Sequence, residues 1–145
     1  MKSSVCVDAG IVIKLVVNEE DSDLAESLWR SWLQNDVLPI APGLFPFEVT
    51  AVIRKAVYQG RISPDEGWEA LQKALAFAVT ILTPTSLHEA AWEFATHFNR
   101  PTAYDAHYLA LAEMYGCEFW TADRRLYNAV KEELSWVKWL GDFRP

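Results

Sequence analysis

The chain is expected to fold as an α/β protein in which helices cover both faces of a mostly parallel central sheet. Three observations carry that expectation. Short apolar runs alternate with stretches of helical period along all 145 residues, the pattern of repeated strand–helix–strand crossovers. The stretch from Pro101 to Leu126, PTAYDAHYLALAEMYGCEFWTADRRL, condenses this pattern. In it Tyr104, Tyr108, Leu111, Ala112 and Tyr115 recur at helical spacing, Gly116 offers a left-handed end, and Cys117 to Thr121 reads as a buried strand. The composition is globular, with 51% hydrophobic and 23% charged residues, so the chain can hide roughly two thirds of its unfolded surface.

Ser4 to Val7 is a β-branched run ending at Asp8, and Ala9 to Val17 reads helical. Gly10 weakens that helix start but permits close backbone approach. Asp21 to Asp23 supplies cap candidates for a helix through Trp29 and Leu33. Val37 to Ala41 is a second strand, whose Pro39 suits an edge or irregular position. A long helix from about Leu44 to Gln59 carries Val49, Val52, Ile53, Ala56 and Val57 on its apolar face, and Gly60 ends it. Ser63-Pro64-Asp65-Glu66 reads as a cap, a proline at N1 and a glutamate at N3, opening a helix to about Phe77. Val79 to Leu82 follows as a strand, and helix resumes after Pro84-Thr85-Ser86 and runs through Phe98. Beyond the central stretch, Arg124 to Glu133 is helical and Trp136 to Leu140 forms a last strand.

No repeat, low-complexity tract or linker interrupts residues 1–145, which read as one domain. Cys6 and Cys117 fall in predicted strands, as inert core thiols, with neither a disulfide framework nor a zinc spacing. No signal peptide or membrane-length apolar run appears, so the cytoplasm is the expected compartment. Thirteen basic residues against 20 acidic give a net charge of −7, which argues against non-specific nucleic-acid binding. That balance still allows a nucleic-acid enzyme whose acids gather around metal: without four site candidates it is 13 against 16, or −3.

Those four acids are Asp8, Glu48, Asp105 and Asp123. Each has a structural reading. Asp8 and Asp123 are N-cap candidates, Asp105 lies three residues after Thr102 where it would close a capping box, and Glu48 suits the positive end of a helix. Together they point further. Asp8 and Asp123 follow strands, so a parallel sheet puts both on one edge, and Asp105 and Glu48 begin helices that enter from that edge. Glu48 is also set among Phe45, Phe47 and Val49. Clustered carboxylates repel and need protons or cations, and oxygen ligands suit Mg²⁺ or Mn²⁺.

These motifs resemble the PIN-domain family, and within it the VapC toxins of toxin–antitoxin pairs. The opening VCVDAG resembles the first-strand motif, with its aspartate at Asp8. FPFEVTAVIRK places the helix glutamate at Glu48, TAYDAHYLALAE the third acid at Asp105, and FWTADRRL the fourth at Asp123. Thr121 matches the small hydroxyl residue that accompanies the fourth acid. One position departs: Gly10 stands where these toxins commonly have serine, which removes a hydroxyl but no carboxylate.

The resemblance implies a three-layer α/β/α sandwich and a Mg²⁺- or Mn²⁺-dependent ribonuclease cutting single-stranded or loop RNA. It further implies a homodimer neutralised by a small antitoxin that fills the acidic groove. Asp8, Asp105 and Asp123 would hold one or two cations, with Glu48 a ligand or a water-mediated partner. Cation-activated water would then leave a 5′-phosphate, with no histidine required. His107 is placed to point away from Asp105. Substrate phosphates need positive contacts, for which Lys14, Arg54, Arg124 and Arg125 are candidates, with solvated or packing roles as the alternative. Phe45, Trp29, Trp32 and Trp68 are expected to wall the antitoxin groove, some as interface rather than core. Asp8→Asn and Asp105→Asn are each expected to abolish cleavage and leave the fold intact or more stable, and Gly10→Ser to raise the rate. Other classes stay open: an RNA-processing nuclease without an antitoxin, a non-enzymatic interaction module, or a metal-dependent phosphatase, which Gly10 disfavours by standing where a second aspartate is usual.

Overall fold

The computed structural model describes residues 3–145. Five strands are joined by seven helices in the order β1 (Ser4–Val7), α1 (Ala9–Val16), α2 (Ser22–Gln34), β2 (Leu38–Pro42), α3 (Phe45–Tyr58), α4 (Pro64–Ala76), β3 (Thr80–Leu82), α5 (Leu87–His97), α6 (Tyr104–Met114), β4 (Glu118–Thr121), α7 (Arg124–Val130) and β5 (Val137–Trp139). The sheet order is β3-β2-β1-β4-β5, and every pairing is parallel. The chain winds outward through β2 and β3, then crosses back to β4 and β5. Right-handed crossovers therefore set α1 to α4 on one face and α5 to α7 on the other. Helix packing agrees, with α1 against α2, α3 and α4, and α5 against α6. The result is a three-layer α/β/α sandwich, and no helix among the described residues is long and apolar enough to cross a membrane.

Local signals explain most boundaries. Ser63 accepts the Glu66 N–H while Glu66 reaches back to the Ser63 N–H, a complete capping box. Gly60 and Gly116 end α3 and α6 in the left-handed region, at φ 73° and 61°. Helix α6 lies over the centre of the sheet, against β1, β2 and β4. Its residues Ala106 and Tyr108 to Ala112 are buried almost all round. Each large apolar side chain buried there contributes about 1.5–3 kcal/mol.

Pro39 departs from expectation, because β2 is an interior strand. The Leu38 N–H donates to the Ser3 carbonyl on the β1 side, so the next residue turns its nitrogen toward β3. Pairing with β3 begins only at Ile40 and Thr80, and the missing N–H costs no ladder bond. Val52 departs too: it is 41% exposed, while Val49, Ile53 and Ala56 are buried. Cys6 is buried, but Cys117 is half-buried and precedes β4; both thiols are free.

Helices α3 and α4 meet at Gly67, where a Cβ would fall 2.3 Å from Val57 Cγ2. A β-branched side chain cannot swing away cheaply. Gly67→Ala is therefore expected to lower stability by about 1 kcal/mol or more, overpacking outweighing a helix-propensity gain of similar size. Thermal denaturation of the variant checks this, and a raised midpoint would mean that the two helices separate at little cost.

Candidate active site

The chain reverses its winding direction between β1 and β4, and ligands of open α/β sheets gather beyond the strand ends at such a point. Asp8 follows β1 there, Thr121 ends β4, and Ala122 and Asp123 follow it. The Asp8 N–H donates to the Trp120 carbonyl, tying the two strand ends together. A cleft of about 320 Å³ opens at this edge, and Asp8, Glu48, Asp105 and Asp123 all line it. A larger hollow, about 670 Å³, lies at the opposite strand ends around Ser3 to Val5 and Gly116 to Glu118, away from all four acids.

Asp8 serves two purposes. Its Oδ1 accepts the Ile11 N–H and caps α1, while its Oδ2 accepts the Thr121 hydroxyl and the Ala122 N–H. Burial nevertheless pushes its carboxyl up to about 6, against the lowering effect of those donors. Thr121, fully buried, also accepts the Asp123 N–H at 2.9 Å, so one hydroxyl couples two acids. Asp123 caps α7 through Oδ1, from the Arg125 and Leu126 N–H groups.

Glu48 sits in the first turn of α3 and is half-buried. Burial raises its carboxyl above the usual range, and the Asp105 charge adds to the rise. Tyr108 opposes it by donating its hydroxyl to Glu48 Oε1 at 2.6 Å. That ring is buried and stacks on Phe119 of β4, with centroids 5.6 Å apart.

Asp105 does not form the capping box that Thr102 would allow, and α6 has no side-chain cap. Instead its Oδ2 accepts from Arg100, from Nη2 at 2.9 Å and Nε at 3.3 Å. Its Oδ1 is buried without any hydrogen-bond partner. Buried polar atoms without partners are costly and uncommon, and an oxygen left so, on a residue that lines a cleft with three other acids, suits a cation. Among the described residues, no three Asp, Glu, His or Cys side chains close on one point as a metal cage. The acids share a cleft lining, and their hard oxygen donors fit Mg²⁺ or Mn²⁺ in chemistry.

The positive candidates divide. Lys14 lines the cleft and is held by Glu19 at 3.3 Å and the Glu20 carbonyl at 2.6 Å. Arg125 is exposed in the first turn of α7. Arg54 lines a separate apolar hollow with Ile53, Val57, Trp68 and Leu71, in line with its packing alternative. Arg124 lies over the Trp139 ring, 5.0 Å from its centroid, a contact that neither its phosphate role nor a solvated role anticipates. Of the rings expected to wall the antitoxin groove, Phe45, Trp29 and Trp32 are buried in the core and Trp68 is exposed. His107 donates to the Ala103 carbonyl and meets His88 through its other nitrogen, so it takes no part in the cleft.

Sequence reasoning missed Arg100, Tyr108, Glu19 and Val52, all of which touch or line the site. Tyr108 had a signal, being one turn past Asp105 on the same helix. Arg100, in a loop, had none.

Position 10 has less room than the resemblance suggests. A Cβ there would lie 3.2 Å from Ala122 Cβ and 3.4 Å from Asp8 Oδ1. Gly10→Ser would press on the residue whose N–H holds Asp8. Alone it is expected to leave the cleavage rate flat or lower it. Paired with Ala122→Gly, which vacates that space, it is expected to raise the rate several-fold over Ala122→Gly alone. Rates at saturating Mn²⁺ for the three variants check this, and a rise in Gly10→Ser alone would contradict it.

A family described as "PIN domain" matches residues 5–132. Ribonuclease VapC9 of Mycobacterium tuberculosis is 36% identical over 85 residues, 59% of this chain and 65% of that protein. A VapC ribonuclease of Mycobacterium bovis matches to the same extent. The aligned stretch thus spans just under two thirds of those relatives. Among solved structures, VapC20 of Mycobacterium tuberculosis, described as a Sarcin-Ricin loop cleaving toxin, is similar with a TM-score of 0.61 and 18% identity, over 81% of this chain and 87% of that one. PAE2754 from Pyrobaculum aerophilum is similar with a TM-score of 0.65 and 22% identity, over 96% and 85%. At those identities the structural likeness speaks to the fold.

Proposed function

Because the chain belongs to the PIN-domain family and is similar to VapC ribonucleases, we propose that it is a Mg²⁺- or Mn²⁺-dependent endoribonuclease and the toxin of a toxin–antitoxin pair. The observation that carries this reading is the convergence of four acids, from four separate elements, on one cleft where Asp105 Oδ1 lies buried without a partner. The reading takes residues 1–145 as a single PIN domain, in keeping with one core that draws on residues from Val5 to Leu140.

Asp8, Asp105 and Asp123 would hold the cation, with Glu48 beside them. When bound, such an ion lowers the pKa of its water and offsets charge building on the phosphate oxygens. The chain's own residues do the positioning. Thr121 holds Asp8 and Asp123 in one hydrogen-bonded unit, and Tyr108 fixes Glu48. Lys14 and Arg125 are the side chains proposed to meet substrate phosphates, since one lines the cleft and the other sits beside Asp123. Partners in this reading are an RNA substrate, a cognate antitoxin and a second copy of the chain. Trp68, 63% exposed, and Phe47, 77% exposed, offer the apolar surface that a partner would cover.

The test is incubation of purified chain, freed of any partner, with a mixed RNA pool with and without Mg²⁺ or Mn²⁺. Cation-dependent fragments with 5′-phosphate ends are expected. Intact RNA, or cleavage that chelation does not stop, would reject the reading.

A further inference from the structure

We propose that Arg100 is a positioning residue for cation binding: it grips one oxygen of Asp105 and thereby leaves the other without a partner, for a cation to take up. This rests on the cation-dependent reading above. A guanidinium gains most from a carboxylate by a fork contact, one N–H to each oxygen. Arg100 does not do this. Both its Nε and its Nη2 converge on Oδ2, at 3.3 and 2.9 Å, and Oδ1 is left buried with no partner. The pairing forgoes the second contact, on Oδ1.

The backbone explains why Arg100 approaches from one side only. Helix α5 ends with Asn99 in the left-handed region at φ 50°. The Arg100 N–H bonds back to the Ala95 carbonyl at 2.8 Å, and the Asn99 N–H to the Thr96 carbonyl at 3.2 Å. This is a Schellman end, and Pro101 follows directly, restricting Arg100 to extended backbone. Arg100 is thus anchored to α5 while Asp105 rides on α6, and the side-chain pair bridges the two helices with both members largely covered, at 19% and 26% exposure. The His88–His107 contact joins the same helices at 2.9 Å, so Arg100 is not needed to hold them together. Its charge also offsets one of the four carboxylates before any cation arrives.

Outer partners of metal ligands fix ligand orientation, and losing one costs roughly 10- to 100-fold in metal affinity. The experiment is calorimetric titration of Mn²⁺ into the full chain and into Arg100→Met and Arg100→Lys, with thermal midpoints recorded for each form without cation. Arg100→Met is expected to bind Mn²⁺ about 10- to 100-fold more weakly. Arg100→Lys is expected to fall between, because lysine restores the charge but not the planar geometry. It also keeps the test available should Arg100→Met fail to fold. Affinity that is unchanged or tighter in a folded variant would overturn the inference, since a merely structural arginine would move the midpoint alone and a competitor would strengthen binding on removal. Failure of the unaltered chain to bind Mn²⁺ would overturn the cation reading itself, and this inference with it.

Discussion

Asp105→Asn is expected to reduce RNA cleavage by about three orders of magnitude, the upper range for losing one group that stabilises developing charge. The geometry gives the reason. Arg100 requires an acceptor at the Oδ2 position, so the amide oxygen takes that place and the amide nitrogen replaces the unpartnered Oδ1. A donor then faces the spot where a cation needs an oxygen. The fold should hold, because the side chain keeps its size and Glu48 loses a repelling neighbour. Expression in a bacterial host extends the test: the unaltered chain should arrest growth and the variant should not. A variant retaining a tenth of the activity would remove Asp105 from the reaction. Harmless expression of a folded, Mn²⁺-binding chain would leave the nuclease reading standing without the toxin role. Asp8→Asn should be equally inactive but, unlike Asp105→Asn, should lose stability by about 1–3 kcal/mol. Its amide cannot accept from Ile11, Thr121 and Ala122 together, so a buried donor goes unmatched.

Without divalent cation, the chain is expected to become more stable as pH falls from 7 toward 5. Asp8 has a carboxyl raised by burial from 3.8 to about 6. The native state therefore binds a proton more tightly than the unfolded chain. Stability from this group is present below the unfolded value and is lost as pH rises through about 6. The rise of roughly two units corresponds to about 3 kcal/mol at most. Glu48 is raised as well and acts in the same direction. A cation bound to the native state offsets the loss, by about 2.7 kcal/mol at a hundredfold excess over its dissociation constant. Thermal midpoints with chelator should climb on acidification, and saturating Mn²⁺ should flatten that climb. A profile of equal slope in Asp8→Asn would show that Asp8 is not its source.

The sheet and its helices were legible because their signals are local. Ser63 with Glu66, Gly60 and Gly116 mark helix ends by chemistry confined to a few neighbouring residues. The four acids were legible as a set because a parallel sheet gathers strand ends whatever the sequence separation. The rest depended on relations that no local window contains. Pro39 sits in an interior strand only because its neighbour begins pairing one residue later. Val52 follows the helical period, yet its stripe turns toward the acids rather than the core. Trp29 and Trp32 pack against each other, with ring centroids 5.6 Å apart, in the core rather than the groove. Arg100 meets Asp105 through a loop whose path is set by how α5 ends, and nothing in the spacing shows that path.

The Asp8–Thr121 hydrogen bond joins residues 113 positions apart. Asp8 is made first, and Thr121, Ala122 and Asp123 follow only after more than a hundred further residues. At about 5–20 residues per second, the ribosome needs roughly 6 to 23 s to cover that interval. Until β4 docks beside β1, the first acid has neither its orienting hydroxyl nor its fourth companion, and no partial chain can assemble the cleft. Under the proposed reading the chain would thus stay inactive until β4 has been made and has docked. Truncated products ending before β4 would be inert for the same reason.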